Sequence, residues 1–158
     1  SLSIIIIGKA ESKYLFYLKH KAAEFGLANA ILWTDFLPQK DAHNLLAKAK
    51  VCVLPTYNEI ISGTIIESLF LKLPVVAYDV GSIHEVNEKE NIIRLVPKGD
   101  IKKLTEEIKT LLTDEKLRYD TGEKGFNRNI EMFNNSLIVP DILKAYDKVL
   151  SFESNSKR

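Results

Sequence analysis

Five short apolar runs punctuate the chain, at Leu2–Ile7, Ala30–Trp33, Val51–Leu54, Val75–Tyr78 and Ile92–Val96. Each is rich in β-branched residues and keeps apolar side chains on both parities, the pattern of strands covered on both faces. Between them apolar positions recur at helical spacing. Tyr14, Leu18, Ala22 and Phe25 form one stripe, which stops at Gly26, a residue suited to a helix C-terminus. Ala42, Leu45, Leu46 and Ala49 form the next, behind Pro38 and Asp41 as helix starters. Ile65, Ile66, Leu69, Phe70 and Leu73 form the third. Gly99-Asp100 opens a fourth helix, with Leu104, Ile108, Leu111 and Leu112 as its stripe.

After residue 113 the pattern becomes wholly helical. Leu117 to Met132 is polar and contains Gly122 and Gly125, and Pro140 is predicted to start a last helix bearing Ile142, Leu143, Tyr146, Val149 and Leu150. Strands alternating with helices predict an α/β fold: an open parallel sheet, right-handed crossovers, helices on both faces, and a C-terminal helical segment. No repeat, low-complexity tract or linker interrupts this, so residues 1–150 read as one domain and 151–158 as a polar tail.

Composition narrows the function classes. With 158 residues, 46% hydrophobic and 27% charged, the chain suits one globular domain with its own core. Its net charge of +1 argues neither for nor against a partner, but the lack of a basic block with interleaved aromatics leaves a nucleic-acid role with little support. No run of about 18 apolar residues is present to span a membrane. The single cysteine, Cys52, lies in an apolar run and reads as a buried core residue of a reducing, cytoplasmic compartment. His20, His43 and His84 are scattered without metal-ligand spacing, so neither a metal nor a cofactor is expected. The sequence has no initiator methionine (its one methionine is Met132) and opens almost directly on a strand, so it reads as a piece of a longer protein.

The chemistry concentrates between the third and fourth strands. There a strand ends at Pro55, a loop carries Glu59, and Ser62 stands ready to cap a helix whose first turn is Gly63, Thr64 and Ile65. The unpaired N–H groups of that turn and the positive end of the helix dipole favour an anion, a diphosphate above all. Gly63 lets it approach the backbone. Glu67, about 6 Å further along the axis, is placed to accept hydrogen bonds from the paired hydroxyls of a ribose. Glu59, at the mouth of the loop, would face a sugar on the distal phosphate. Phosphates and hydroxyls together point to a nucleotide sugar.

The order of these motifs resembles the donor-binding half of the GT-B glycosyltransferases, and within them the retaining family called group 1. The motif of a glutamate, seven residues and a second glutamate is Glu59 to Glu67, followed by Pro74-Val75-Val76-Ala77. Further matches are Ile4–Gly8, Leu27-Ala28-Asn29 before Ile31-Leu32-Trp33, Gly81-Ser82-Ile83-His84-Glu85-Val86, and Asn91 to Val96 with Pro97, Gly99 and Asp100. The resemblance covers roughly residues 2 to 135. It implies a Rossmann-like fold and a UDP- or GDP-linked donor. Glu67 would sit on the ribose, Glu59 near the transferred sugar, the amides of Gly63, Thr64 and Ile65 on the diphosphate, and Phe36 and Leu37 against the base.

It also implies an N-terminal acceptor domain, a preceding first strand, and a clamping Arg and Lys upstream of this chain, with an acceptor that is a saccharide or lipid-linked and able to sit at a membrane. The chain departs from the family where glycine often follows the first glutamate and recurs two residues later; here those places are Ile60 and Ser62.

Rival readings fare differently. A phospho-acceptor receiver needs acidic residues after the first strand and an Asp ending the third, where this chain has Gly8-Lys9-Ala10 and Leu54-Pro55. A dinucleotide-binding dehydrogenase needs G-x-G-x-x-G where only Gly8 stands. A sugar-nucleotide epimerase of the same architecture and a non-catalytic nucleotide-sugar binding module both stay open.

Overall fold

Gly26 shows how local sequence sets the architecture. At φ +70° it takes the left-handed conformation that ends a helix, and its N–H donates to Ala23 O while that of Leu27 donates to Ala22 O. The computed structural model describes residues 3–60 and 62–155 of the chain, and these divide into two compact units, one through Leu45 and one from Leu46.

In the first unit β1 (Ile4–Ile6) is followed by α1 (Ser12–Glu24), β2 (Ile31–Trp33) and α2 (Gln39–Leu46), which reaches one residue into the second unit. β1 and β2 pair in parallel, Ile4 opposite Ile31 and Ile6 opposite Trp33, and Thr34 extends the ladder by donating from N–H and Oγ1 to Ile6 O. The first apolar run is thus shorter than its sequence pattern; of its residues, Leu2 lies outside those described. The stripe on α1 is also displaced. Ala22 is buried and Leu15 and Leu18 are half-buried, but Tyr14 and Phe25 are exposed. Positions 15, 18 and 22 follow the same helical period and keep the two bulky rings in water.

The second unit holds the main core. β3 (Cys52–Leu54), β4 (Val75–Asp79) and β5 (Ile93–Pro97) form a parallel sheet in that order, with Cys52 opposite Val75 and Val75 opposite Ile93. Its helices are α3 (Gly63–Phe70), α4 (Ile101–Thr113), α5 (Glu115–Met132) and α6 (Asn135–Asn155), and a 3-10 turn spans Ile83–Asn87. As the central strand, β4 is covered on both faces from Val75 to Tyr78, whereas Val53 on β3 and Ile5, Ile6 and Leu32 on the two-stranded ladder stay partly exposed. Full two-face burial, predicted for all five runs, holds best where strands flank both edges.

Helices α3 and α4 both pack on β4, and α5 packs on each of them. Leu69, Ile92 and Leu111 are fully enclosed, each contributing about 1.5–3 kcal/mol by removal from water.

Polar side chains set the boundaries of these elements. Asp100 caps α4 by accepting from Lys103 N–H at 2.9 Å, and Asp114 caps α5 by accepting from Leu117 N–H at 2.8 Å. Arg118 returns to the C-terminus of α4, donating to Leu111 O at 3.0 Å. Asn87 starts β5: its Oδ1 accepts from Ile92 and Ile93 N–H, and its Nδ2 donates to Ile93 O.

The last helix begins at Asn135, five residues before the predicted start, with Pro140 inside it. The N–H groups of Leu137 and Ile138 are already satisfied by Asn134 O, so the proline follows an established first turn. The helix runs to Asn155, through positions read as tail; residues 156–158 lie outside those described. No helix among the described residues is long and apolar enough to cross a membrane.

Candidate functional site

The carboxyl ends of β3 and β4 build an open cleft of about 400 Å³, lined by Tyr57, Asn58, Glu59, Ile60 and Gly81. The chain leaves β3 through Pro55, which cannot continue a ladder, and turns into the loop that carries Glu59. Glu59 is half-buried, and Ile60, 78% exposed, forms the lip. The carboxylate folds back on its own backbone, where Glu59 Oε1 accepts from Ile60 N–H at 3.2 Å. Ile61 lies outside the described residues.

Ser62 stands at the N-cap position with extended backbone, φ −80° and ψ 116°, but its side chain makes no cap hydrogen bond. Its carbonyl accepts from Ile65 N–H at 3.1 Å and Ile66 N–H at 3.2 Å. The hydroxyl cap expected of Ser62 is therefore absent, and of the three amides assigned to an anion, that of Ile65 is already engaged. Gly63 and Thr64, both exposed, carry the remaining first-turn donors, and no Cβ at Gly63 would meet another atom within 4 Å. Open backbone at a helix start is what an anion needs.

Glu67 follows on α3, half-buried, beside a fully inward face of Ile65, Ser68 and Leu69. The structure thus gathers Glu59, Ser62, Gly63, Thr64, Ile65 and Glu67 on one loop–helix segment at one end of the sheet. Phe36 and Leu37 belong to the other compact unit, after β2; Phe36 is 79% exposed, its N–H donating to Asp35 Oδ1, and Leu37 is half-buried.

Three neighbours of the cleft were not assigned from sequence. Tyr57 sets its ring edge-on against buried Tyr78, with centroids 5.8 Å apart and planes at 80°. Lys98 Nζ lies 5.1 Å from the Tyr57 ring centroid, bringing a cation to the cleft from the end of β5. Thr56 Oγ1 is buried with no hydrogen-bond partner among the described residues. An aromatic directly after a strand-ending Pro-Thr was the available signal for Tyr57; nothing local pointed to Lys98, which arrives from 41 residues downstream. His84 approaches Asp79, the last residue of β4, at 3.6 Å, both exposed, and forms an ion pair only when protonated. Among the described residues no group of three or more His, Cys, Asp or Glu is arranged to hold a metal ion.

Comparison with known proteins gives a consistent picture. The sequence profile of the family described as glycosyl transferases group 1 matches residues 1–128. A capsular polysaccharide biosynthesis glycosyltransferase of Staphylococcus aureus is 34% identical over 108 residues, 68% of this chain and 28% of the relative. An MMP α-(1→4)-mannosyltransferase of Mycolicibacterium hassiacum is 26% identical over 130 residues, 82% of this chain and 32% of the relative. The structure of Anabaena HepE in complex with UDP superposes with a TM-score of 0.84 at 21% identity, covering 93% of this chain and 41% of that one. The curated relatives matched are much longer, and the matches span between 21% and 32% of their length. The α/β fold, with parallel sheets flanked by helices, is the Rossmann-like fold of these glycosyltransferases. By the profile that matches most of its length, the chain belongs to the glycosyl transferases group 1 family.

Proposed function

We propose that this chain is the donor-binding half of a glycosyltransferase that moves a sugar from a UDP- or GDP-linked donor to a saccharide or lipid-linked acceptor, in surface polysaccharide or glycolipid synthesis. The observation that carries the reading is the loop–helix segment itself, where half-buried Glu59 and Glu67 flank the exposed N-terminus of α3. The crystallisation of HepE with UDP and with UDP-glucose supports a nucleotide-sugar ligand in this fold.

In this reading the amides of Gly63 and Thr64, with the α3 dipole, hold the diphosphate and stabilise it as it departs. Ile65 contributes through the turn it closes on Ser62 rather than through a free amide. Glu67 accepts hydrogen bonds from the ribose hydroxyls, and Glu59 faces the transferred sugar. These are binding roles; none of these residues is assigned as a general base. An N-terminal acceptor domain supplies the second wall, a first strand of this fold and a clamping Arg and Lys lie in the segment upstream of this chain, and the sugar leaves with retained anomeric configuration. The whole enzyme works in the cytoplasm, where its acceptor domain can meet a membrane-borne acceptor.

Calorimetry of the 158-residue chain with UDP, GDP and their sugars tests the site. Weak binding that disappears in Glu67→Ala is the expected result; equal binding by that variant would sink the ribose assignment. Turnover by these residues alone would sink the assignment of half an enzyme.

A further inference from the structure

Four glycines adopt positive φ: Gly8, Gly26, Gly81 and Gly99. At Gly8 and Gly26 a Cβ would meet nothing within 4 Å, and at Gly99 only the Tyr57 hydroxyl at 3.6 Å. Those three satisfy backbone conformation alone. Gly81 differs. At φ +56° its added Cβ would collide with the carbonyl oxygen of Glu59, and would stand 2.8 Å from the Glu59 carbonyl carbon and 3.6 Å from Ile60 Cα. The backbone of the Glu59 loop rests directly on the bare Cα at the end of β4.

Resting on the donor-site reading above, we propose that Gly81 is a positioning residue for Glu59: its missing side chain seats the loop and so fixes where the carboxylate meets the transferred sugar. The two sides of the contact differ in firmness. Gly81 is bracketed by buried Val80 and Ile83, and Ile83 N–H donates to Val80 O across it, so the end of β4 is held by the core. The loop has exposed Asn58 and Ile60, and the one hydrogen bond described within it joins Glu59 to its own neighbour. A side chain at position 81 would therefore displace the loop and leave the strand in place. The amides at the start of α3 follow the far end of the loop and are anchored by buried Ser62 and Ile65. Gly81 thus acts on the sugar end of the site and not on the nucleotide end.

The test is amide NMR on the 158-residue chain, comparing wild type with Gly81→Ala and with Gly99→Ala as the control for backbone strain alone. Without ligand, Gly81→Ala shifts the amides of Glu59 and Ile60 and leaves those of Ser68 to Phe70 in place, whereas Gly99→Ala leaves Glu59 unmoved. Titration with UDP, GDP, UDP-glucose and GDP-mannose then separates the two ends of the site. For the nucleotide that the wild type binds, Gly81→Ala keeps that affinity within about threefold but loses the added affinity of the matching sugar conjugate.

Unmoved Glu59 and Ile60 amides, or a retained preference for the conjugate, overturns the proposal. If the wild type binds none of the four, the donor-site reading fails, while the ligand-free shifts still decide the seating of the loop. If Gly81→Ala does not fold, the wild type decides: a cross-peak between the Gly81 and Ile60 α-protons, and one from the bound sugar to Gly81, are expected, and their absence overturns the assignment.

Discussion

The side-chain amide of Asn129 on α5 donates to the backbone carbonyl of Ile66 on α3 at 3.1 Å, one residue before Glu67. Asn129 is fully enclosed, and Asn129 Oδ1 has no partner among the described residues. A polar group is tolerated there because its donor end ties the helix of the candidate site to the helix behind it. Asn129→Ala removes that bond and opens a small void, at a cost of about 2 kcal/mol. Urea unfolding should show a lowered midpoint with an unchanged slope. The same variant should weaken nucleotide binding, because Glu67 then rides on a looser helix; undiminished affinity in a destabilised variant would confine Asn129 to a packing role.

Two glycines make the close approach of α3 and α5 feasible, and they should respond differently to alanine. A Cβ at Gly122 would collide with the carbonyl oxygen of Lys72 and lie 3.1 Å from its carbon, while one at Gly125 would lie 2.6 Å from Leu69 Cδ2. Backbone cannot move aside, but the end of a leucine can. Alanine in a helix interior gains about 1 kcal/mol over glycine, against overpacking of about 1–3 kcal/mol. Gly125→Ala should therefore be close to neutral and Gly122→Ala clearly destabilising. Thermal melts giving the two variants equal midpoints would refute this ordering.

The difference between these glycines explains what sequence could and could not reveal. Element order, the helix opening at Asp100 and the stop at Gly26 were legible because each depends on a few adjacent residues. The Glu59–Glu67 segment was legible as a loop running into a helix start for the same reason. Misplaced features depend on partners that the apolar pattern does not name. The inward face of α1 is set by Leu15, Leu18 and Ala22, and the start of α6 by the Asn134 carbonyl rather than by its proline. Lys98 reaches Tyr57, and Gly81 meets Glu59, only once three strands stand side by side.

Lys72 occupies the turn between α3 and β4 at φ 56°, where a non-glycine residue is disfavoured. Its ammonium compensates by meeting both carboxylate oxygens of Glu123, at 2.8 and 3.0 Å, and lying 4.9 Å from the Phe126 ring centroid. Glu123 accordingly raises the Lys72 pKa above its ordinary value. Lys72→Ala keeps the backbone strain and loses both contacts, whereas Lys72→Gly loses the contacts but relieves the strain, worth about 1 kcal/mol. The expected stability order is Lys72→Gly above Lys72→Ala. The reverse order in chemical denaturation would show that the side-chain stem, not the backbone angle, decides this turn.

Cys52 supplies a pH dependence whose sign follows from burial. Desolvation in the core raises its thiol pKa above the ordinary 9.0, only partly offset by the polar side chain of Ser68 nearby. Well below 9.0 the thiol is neutral in both folded and unfolded chains and contributes no pH dependence. Above it the unfolded chain loses the proton while the folded chain keeps it, so the native state binds more protons and stability falls as pH rises, by up to about 1.4 kcal/mol per pH unit until the folded thiol ionises. Tyrosines and lysines also titrate in this range, but equally in a variant that lacks only the thiol. The margin by which the wild type exceeds Cys52→Ala in unfolding free energy should therefore shrink from about pH 8 to about pH 10.5. A margin that stays constant across that range would mean that Cys52 can ionise within the fold as readily as outside it.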